Sequence, residues 1–489
     1  MAHTTVTLEQ TSSETRCGWF VVDLDGTLVS ADLFVERLAR LLLHRPWVLF
    51  AFLFSGKYSI AGLKTFVARH VPLDAQHLPY RQALLERLRN ARTANIKTVL
   101  ATAAPAAYAH AVAAHLGLFD HVLATTPELN LKSRRKLNAI KQLTDGDAFV
   151  YAGDAPCDLP LFKASKGGLL VSDSPQLKAA FKKTAPEGEI LPAGADYRTR
   201  LKAALRAIRP HQWAKNALIL LPAVTGWGLY DVGYAVALFP AIAMFCICSS
   251  IVYLMNDMGD VDADRAHPDK RLRPFASGEL SVGNGLLLLS GLICTGSLIG
   301  WFFLSNVLWL YAIYLAISTA YSAKLKELPT IDAFVLSFLY VARVLIGAEV
   351  LGVPYSSWFI IFLAMSFLSL GWLKRYIELY SSEGDLKSRR RGYTKQDEPM
   401  ILICGIACVF CGVLVLFLYT TAAEMRQVYN HPSWLLFLAL PYLYFMLDLW
   451  REASLGKVHH DPVRHVMFSP KAYAIVAVSI SILFCARFI

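Results

Sequence analysis

The sequence predicts an α/β domain with a parallel sheet, followed by an all-α membrane domain of about nine transmembrane helices. Short apolar runs of strand length alternate with helical stretches up to about residue 186. Long apolar runs fill most of the chain after residue 216. Charged residues make up 17% of the 489 residues, whereas about 25% is typical of soluble chains. This composition excludes intrinsic disorder and argues against a wholly soluble protein.

The N-terminal half divides into three predicted segments. Residues 1–15 are polar and predict a disordered leader without a secretion signal. Residues 16–195 are predicted to form the α/β domain. Its candidate strands are Trp19–Asp23, Ile96–Thr102 and Ala148–Gly153. Residues 196–215 place apolar side chains at helical spacing among Arg and Lys, which predicts an amphipathic helix on the membrane surface, with an ordinary linker helix as the alternative.

Residues 216–489 form the predicted membrane domain. The predicted spans are 216–230, 234–256, 283–303, 307–321, 333–350, 356–373, 399–420, 433–449 and 472–488. Seventeen Lys and Arg lie in the loops on the side of the N-terminal domain, and Arg426 alone lies in the turns on the other side. This asymmetry predicts that the N-terminal domain lies in the cytoplasm. We expect the membrane itself to be a bacterial inner membrane. The asymmetry also explains the net charge of +11 without nucleic acid.

Acidic residues follow two of the candidate strands. Asp23 and Asp25 come at the end of the first strand, and Asp154 and Asp158 follow the third. Buried like charges repel, so the pairs indicate a divalent cation. Thr102 ends the second strand, and Lys132 and Lys136 lie at the start of a helix between the second and third strands. Open parallel sheets bind ligands at this end of their strands.

The order DxDGT, Thr, Lys and GDxxxD resembles the haloacid-dehalogenase phosphatase superfamily, which implies a Rossmann-like fold. The resemblance implies Asp23 as nucleophile and Mg²⁺ ligand, and Asp25 as general acid and base. It implies that Thr102 and Lys136 bind phosphoryl oxygens and that Asp154 and Asp158 complete the metal site. We prefer Lys136 to Lys132 because Lys136-x-x-x-Ile140 is similar to the family's helix start. A catalytically inactive domain kept for structure is the alternative.

Residues 30–95 lie where this superfamily inserts a small helical cap that selects the substrate. They contain the apolar run Trp47–Phe54, which is too short to span a bilayer. One interpretation is a buried cap helix. The other is a face that enters the membrane and brings the site to a lipid-linked phosphate, in which case acidic substitutions at Phe50 and Phe52 impair lipid substrates most.

A second acidic motif follows the second predicted span. Asp257, Asp260 and Asp264 share one helix face with Asn256, and at a membrane boundary they indicate Mg²⁺ with a diphosphate. A solvated acidic loop is the alternative. The basic segment that follows contains Lys270, Arg271 and Arg273.

These residues resemble the UbiA-type prenyltransferase superfamily, whose members carry NDxxDxxxD followed by a KRxRPxxSG-like segment. The family's second acidic motif, DxxxD, is absent. The equivalent loop carries Lys374, Arg375 and Glu378. Two cations and one acid favour a phosphate-rich substrate, with Lys374 and Arg375 binding phosphate. Glu378 is a candidate second metal ligand or a partner that orients Lys374.

The segment Arg209–Asn216 and the KRYxE sequence resemble one UbiA branch, the polyprenyl-phosphate phosphoribosyltransferases, best known from the decaprenyl enzyme of arabinan synthesis. The resemblance implies transfer of 5-phosphoribose from phosphoribosyl pyrophosphate to polyprenyl phosphate, and removal of the 5-phosphate by the soluble domain. The product is then a lipid-linked pentose precursor for the cell envelope.

Two other functions remain open. A prenyltransferase would move an isoprenoid from a prenyl diphosphate to an aromatic or other acceptor. A transporter or lipid-binding scaffold would tolerate loss of Asp23 and Asp257. On the last predicted inner loop, His459, His460 and Asp461 are either metal or phosphate ligands or a solvated loop. The nine scattered cysteines predict reduced thiols.

Overall fold

The structure is a computed structural model. It describes residues 17–54, 59–194, 197–225, 232–380, 392–421, 429–458, 462–467 and 469–488. The predicted leader and His459-His460-Asp461 lie outside these residues. The described residues form two compact units, and the first contains the chain up to Arg209 together with Tyr253–Leu292. The second contains Pro210–Val252 and Ile293–Ile489.

A six-stranded parallel sheet forms the centre of the α/β domain in the first unit. Its strands are β1 (Trp19–Val22), β2 (Lys97–Pro105), β3 (His121–Thr125), β4 (Phe149–Gly153), β5 (Gly167–Val171) and β6 (Glu189–Leu191). Their order is β3-β2-β1-β4-β5-β6. Strands β2 and β3 are added on one side of β1, and β4 to β6 are added on the other side. Ligands bind at such a switch point in the strand order. The predicted parallel α/β fold is confirmed, although the sequence revealed only three of the six strands.

Helices cover both faces of this sheet and form the region between β1 and β2. The helices are α1 (Leu33–His44), α2 (Pro46–Leu53), α3 (Ile60–His70), α4 (Gln82–Thr93), α5 (Ala106–Leu116), α6 (Arg134–Leu143), α7 (Leu159–Ala164), α8 (Pro175–Thr184) and α9 (Tyr197–Ala207). Strands β1, β2 and β4 are almost fully buried, so their apolar runs do not alternate with polar residues. Four helices, α1 to α4, lie where the sequence predicts the cap.

Helix α9 lies in the segment predicted to be an amphipathic interfacial helix. Ala203 and Ala207 are buried, whereas Leu201 and Leu205 are each 50% exposed. An exposed apolar face of this kind suits a membrane surface. Its placement on the membrane stays a prediction.

The remainder of the chain is helical. The helices are α10 (Leu221–Thr225), α11 (Val232–Gly259), α12 (Val261–Ala266), α13 (Val282–Phe303), α14 (Leu308–Ala323), α15 (Ile331–Leu351), α16 (Ser357–Tyr380), α17 (Glu398–Thr421), α18 (Ala439–Ser454), α19 (Pro462–Met467) and α20 (Pro470–Phe488). Among the described residues, 7 helical segments are long and apolar enough to cross a membrane. The chain is therefore an integral membrane protein with an all-α membrane domain.

The predicted count of nine spans is approximate. Seven predicted spans correspond to the long helices, and the span predicted at 307–321 is the shorter apolar helix α14. The span predicted at 216–230 begins in a 3₁₀ segment, Pro210–Leu220, and continues into the five-residue helix α10. Residues 226–231 are outside the described part of the chain.

Candidate functional site

Three carboxylates converge at the carboxyl ends of β1 and β4. Oxygens of Asp23, Asp154 and Asp158 all lie within 4.8 Å of one another. In the part of the chain that the structure describes, no other three His, Cys, Asp or Glu residues offer donor atoms this close. Because hard oxygen ligands suit Mg²⁺, this set fits a divalent cation.

Burial makes the negative charge on these carboxylates unfavourable unless a cation lies beside them. Burial, together with the neighbouring Asp23 and Asp158, raises the pKa of Asp154 to about 7. The Asp154 carboxylate accepts a hydrogen bond from the hydroxyl of Thr27 at 3.1 Å. Gly26, with a φ of +72°, turns the chain where a Cβ would collide with Asp154. A glycine is therefore required at this turn.

Lys136 supplies the cation that the structure shows at this site. Its Nζ lies 2.8 Å from Asp23 Oδ2 and 3.6 Å from Asp158 Oδ1. Burial disfavours its charge, but Asp23 and Asp158 outweigh burial and raise the pKa of Lys136. Lys132, the other candidate, is exposed. The geometry therefore places Lys136 beside the carboxylates, and its role in phosphate binding stays a prediction.

Asp25 lies in a different environment from Asp23. Its Oδ1 accepts a hydrogen bond from the backbone N–H of Leu33, the first residue of α1, at 3.0 Å. Burial raises the pKa of Asp25 well above its ordinary value, and Asp32 and Asp23 raise it further. A carboxyl group that keeps its proton can serve as a general acid.

Thr102 was predicted to end the second strand, but β2 continues to Pro105, so Thr102 lies inside the strand. It is fully buried, and its hydroxyl oxygen accepts from Ala104 N–H at 3.0 Å. Two nearby residues had no assigned role in the sequence. Lys64, on cap helix α3, donates from Nζ to the carbonyl of Ala103 at 2.6 Å. Tyr151 links Lys136 to Asp158 through its hydroxyl, with both hydrogen bonds at 3.1 Å. Tyr151 directly precedes the AGD sequence, but Lys64 has no motif that marks it.

The second acidic motif also lies in the first unit, at the end of α11. Arg273 Nη1 donates to Asp257 Oδ1 at 3.0 Å and to Asp264 Oδ2 at 2.8 Å. Arg209 Nη2 contacts both oxygens of Asp257, at 2.6 and 2.7 Å. Two of the predicted metal ligands therefore face one cationic nitrogen, so the donor set fits a cation. Arg209 belongs to the motif Arg209–Asn216, but the sequence did not predict its contact with Asp257.

Other predicted members of this site are placed differently. Asp260 caps α12, and its Oδ1 lies 4.0 Å from His44 Nε2. Asn256 is one helical turn earlier, and its carbonyl accepts from Asp260 N–H at 2.9 Å. Lys270 and Arg271 form part of an exposed 3₁₀ turn. Burial raises the pKa of Asp264, and Arg273 partly opposes this change. Metal binding by Asn256, Asp260 and Asp264 stays a prediction, as does phosphate binding by Lys270 and Arg271.

The segment with Lys374, Arg375 and Glu378 was predicted to be a loop, but it is helical, because α16 continues to Tyr380. Arg375 is 1% exposed and forms ion pairs with Glu378 and with Asp332, the latter at 2.5 Å. Tyr393 also donates to Asp332, at 2.5 Å. Lys374 is half-buried on the same helix. Asp332 was not predicted, although a single acid at the start of an apolar run could have indicated a buried partner for Arg375.

Comparisons with known proteins match the two halves separately. A model of the UbiA prenyltransferase family matches residues 219–459, and a model described as haloacid dehalogenase-like hydrolase matches residues 20–163. These matches define a membrane transferase joined to a hydrolase domain. The chain carries a UbiA prenyltransferase family domain, with a haloacid dehalogenase-like domain ahead of it. Both resemblances predicted from the motifs are confirmed.

Individual relatives extend these matches. "Uncharacterized protein y4nM" of Sinorhizobium fredii is 32% identical over 447 residues, which cover 91% of this chain and 86% of that protein. "Decaprenyl-phosphate phosphoribosyltransferase" of Mycolicibacterium smegmatis is 35% identical over 200 residues, covering 40% of this chain and 63% of the enzyme. A solved UbiA homolog from Archaeoglobus fulgidus, bound to GPP and Mg²⁺, has 15% identity and a TM-score of 0.43 over 59% of this chain and 100% of its own.

Proposed function

We propose that the membrane domain transfers 5-phosphoribose from phosphoribosyl pyrophosphate to a polyprenyl phosphate, and that the α/β domain then removes the 5-phosphate. The identity of 35% to a decaprenyl-phosphate phosphoribosyltransferase supports the first step. The observation that carries the second step is the convergence of Asp23, Asp154 and Asp158 around Lys136. The product is polyprenyl phosphoribose, a lipid-linked pentose precursor of the cell envelope.

In the transfer step, an oxygen of the lipid phosphate attacks the anomeric carbon of the ribose. The bond from that carbon to pyrophosphate breaks, and pyrophosphate leaves with the electron pair. The attacking phosphate is already an anion, so no strong base is needed. Positioning of the reactants and electrostatic stabilisation therefore account for most of the lowering of the barrier.

Two sets of residues are proposed to serve this step. Mg²⁺, held by Asn256, Asp257, Asp260 and Asp264, would neutralise charge on the leaving pyrophosphate. Lys270, Arg271 and Arg273 are proposed to bind phosphate. Lys374 and Arg375 are proposed phosphate ligands on the second unit, and Glu378, which forms an ion pair with Arg375, is a further candidate metal ligand.

In the hydrolysis step, the Asp23 carboxylate attacks the phosphorus of the 5-phosphate and the bond to the ribose oxygen breaks. Asp25 gives its proton to that oxygen. Water then attacks the aspartyl phosphate, Asp25 takes back a proton, and inorganic phosphate leaves. The raised pKa of Asp25 supports this role, since it keeps the acid protonated before the first step. Thr102 and Lys136 are proposed to hold the phosphoryl oxygens. Mg²⁺ held by Asp23, Asp154 and Asp158 would neutralise the phosphoryl group.

We also propose that the cap contacts the membrane. Trp47, Phe50 and Phe54 are 65%, 62% and 88% exposed. Helix α1, which directly precedes α2, ends at His44, and its ring lies beside Gly259, the last residue of the apolar helix α11. The apolar run therefore begins next to the end of a membrane helix. Phe52 differs from Phe50, because its ring packs against Phe66 at a centroid distance of 5.3 Å.

The test uses purified full-length protein with Mg²⁺, polyprenyl phosphate and phosphoribosyl pyrophosphate labelled with ¹⁴C in the ribose and ³²P at the 5-position. Wild type is compared with Asp23→Asn and with Asp147→Asn, a control at an exposed acid. We expect ¹⁴C in lipid for all three proteins and ³²P in lipid only for Asp23→Asn.

Each other outcome has a defined meaning. Retention of ³²P in lipid by wild type would leave the transferase and give the phosphatase another substrate. Absence of ¹⁴C from lipid would overturn the phosphoribosyl assignment. The UbiA family match favours a prenyltransferase as the second candidate, which would consume labelled prenyl diphosphate instead.

A further inference from the structure

Helix α1 of the α/β domain packs against the segment that carries the second acidic motif. The segment Tyr253–Leu292 belongs to the same compact unit as the domain. Val35, Ala39 and Leu43, spaced at four residues along α1, lie in one apolar cluster with residues of this segment. These residues include Met258, Val261, Phe275 and Leu280. A stripe at i, i+4 and i+8 is the pattern of a helix face that buries against a partner.

Ion pairs of opposite polarity cross this packed face: Glu36 with Arg265, and Asp262 with both Arg37 and Arg40. Arg265 donates to both oxygens of Glu36, at 2.8 and 3.0 Å, and the side chains are 3% and 6% exposed. Arg37 donates from Nη2 to Asp262 Oδ1 at 2.7 Å and is itself almost fully buried. The acid of the first pair and the base of the second lie on α1. A shift of one element along the other would bring like charges together, so the pairs fix the register.

The partners of α1 are interleaved with the proposed metal ligands. Asp262 lies between Asp260 and Asp264, and Arg265 directly follows Asp264. Arg265 also donates from Nε to the carbonyl of Ala276 at 3.1 Å. It therefore holds both the short helix α12 and the loop that follows the basic segment. Fixing Asp262 and Arg265 fixes the backbone on which Asp260 and Asp264 depend.

The same helix reaches the other acidic site. Leu33, its first residue, donates its backbone N–H to Asp25 at 3.0 Å. Glu36 and Arg37 follow within the next turn. One rigid element thus contacts the proposed general acid of the hydrolysis and the loop of the proposed transfer site.

We infer that Glu36 and Arg37 are positioning residues for the acidic motif at residues 256–264, and that the α/β domain is in this way a structural part of the transferase. The inference rests on the proposed function for the step that it affects. The two ion pairs hold Asp260 and Asp264 in the orientation that binds the diphosphate and its cation. Groups that orient metal ligands typically change metal affinity or activity by about 10- to 100-fold when removed.

The experiment is a double-mutant cycle in the full-length protein. Glu36→Ala, Arg265→Ala and the double variant are compared with Glu86→Ala, a control at an exposed acid on α4. We expect each single variant to lower kcat/KM for phosphoribosyl transfer by about 10- to 100-fold and to raise the Mg²⁺ concentration for half-maximal rate. The double variant should be no worse than the poorer single variant, because both changes remove the same pair. Glu36→Gln, which keeps the shape, covers the case in which the alanine variant does not fold.

A second readout does not depend on activity. In hydrogen-exchange measurements, the amides of residues 260–278 should exchange faster in Glu36→Gln than in wild type or Glu86→Ala, while strands β1 and β4 remain protected. Unchanged exchange and unchanged kinetics would overturn the inference, as would losses that multiply in the double variant. If wild type transfers no phosphoribose, the proposed function fails, and the exchange measurement still decides whether α1 positions the loop.

Discussion

The two acidic sites of the first unit are assembled in different ways. Asp23 and Asp154 follow neighbouring parallel strands, so the order of the sheet brings them together. Asp257 and Asp264 lie on two successive helices, and one arginine joins them: Arg273, which lies 16 residues after Asp257 and 9 residues after Asp264. One site thus depends on backbone topology. The other depends on charged side chains, and this difference predicts how each responds to substitution.

The largest expected effect comes from substitutions in the acidic site of the α/β domain, which should leave the second acidic site intact. Asp23→Asn removes the proposed nucleophile, and loss of a nucleophile typically costs about a thousandfold or more in rate. Asp25→Asn should cost about 10²- to 10⁴-fold, the range for a general acid. Release of inorganic phosphate from p-nitrophenyl phosphate by the full-length protein measures both. Asp147→Asn should match wild type, and comparable loss in that control would contradict a specific role.

The next prediction concerns the cation at the first site. Lys136→Ala leaves Asp23 and Asp158 buried beside each other, and removing one partner of a buried ion pair costs about 3–5 kcal/mol. Lys132→Ala, at an exposed lysine, should change stability by no more than about 0.5 kcal/mol. Thermal melting of both variants without divalent cations provides the measurement. A melting temperature for Lys136→Ala equal to that of Lys132→Ala would show that topology alone holds the carboxylates.

The corresponding change at the second site is Arg273→Ala. It removes the group that joins Asp257 to Asp264, so transfer should fall by about 10- to 100-fold, mainly through a higher KM for phosphoribosyl pyrophosphate. Arg271→Ala removes an exposed arginine and should have a smaller effect. Arg89→Ala, on the exposed face of α4, serves as the control. Initial rates over a range of donor concentrations separate KM from kcat, and a loss confined to kcat would contradict a binding role.

The same contrast explains what the sequence could predict. The carboxylates after β1 and β4 follow the ends of parallel strands, and the resemblance of their motifs to the haloacid-dehalogenase superfamily predicted that they meet; the strand order explains why. The partners of Asp257 and Asp262 could not, because Arg37 and Arg209 are distant in sequence and no periodicity connects them to the motif. Asp332 was missed for the same reason, since it lies 43 residues before its partner Arg375. The nine-span count was approximate because the first predicted span begins in a 3₁₀ segment.

The smallest expected effect tests whether the cap of the α/β domain contacts the membrane. Phe50→Asp places a charge on the exposed face of α2, and full burial of a Phe side chain is worth about 1.5–3 kcal/mol, so partial insertion predicts a several-fold loss of hydrolysis on a lipid-linked phosphate in vesicles. Hydrolysis of p-nitrophenyl phosphate should be unchanged. Leu129→Asp, at another exposed apolar residue of the same domain, controls for a general effect of surface charge. Phe52→Asp should instead reduce hydrolysis of both substrates, because its ring packs against Phe66 inside the cap. Equal losses on both substrates in Phe50→Asp would mean that α2 supports the cap's fold and does not contact the membrane.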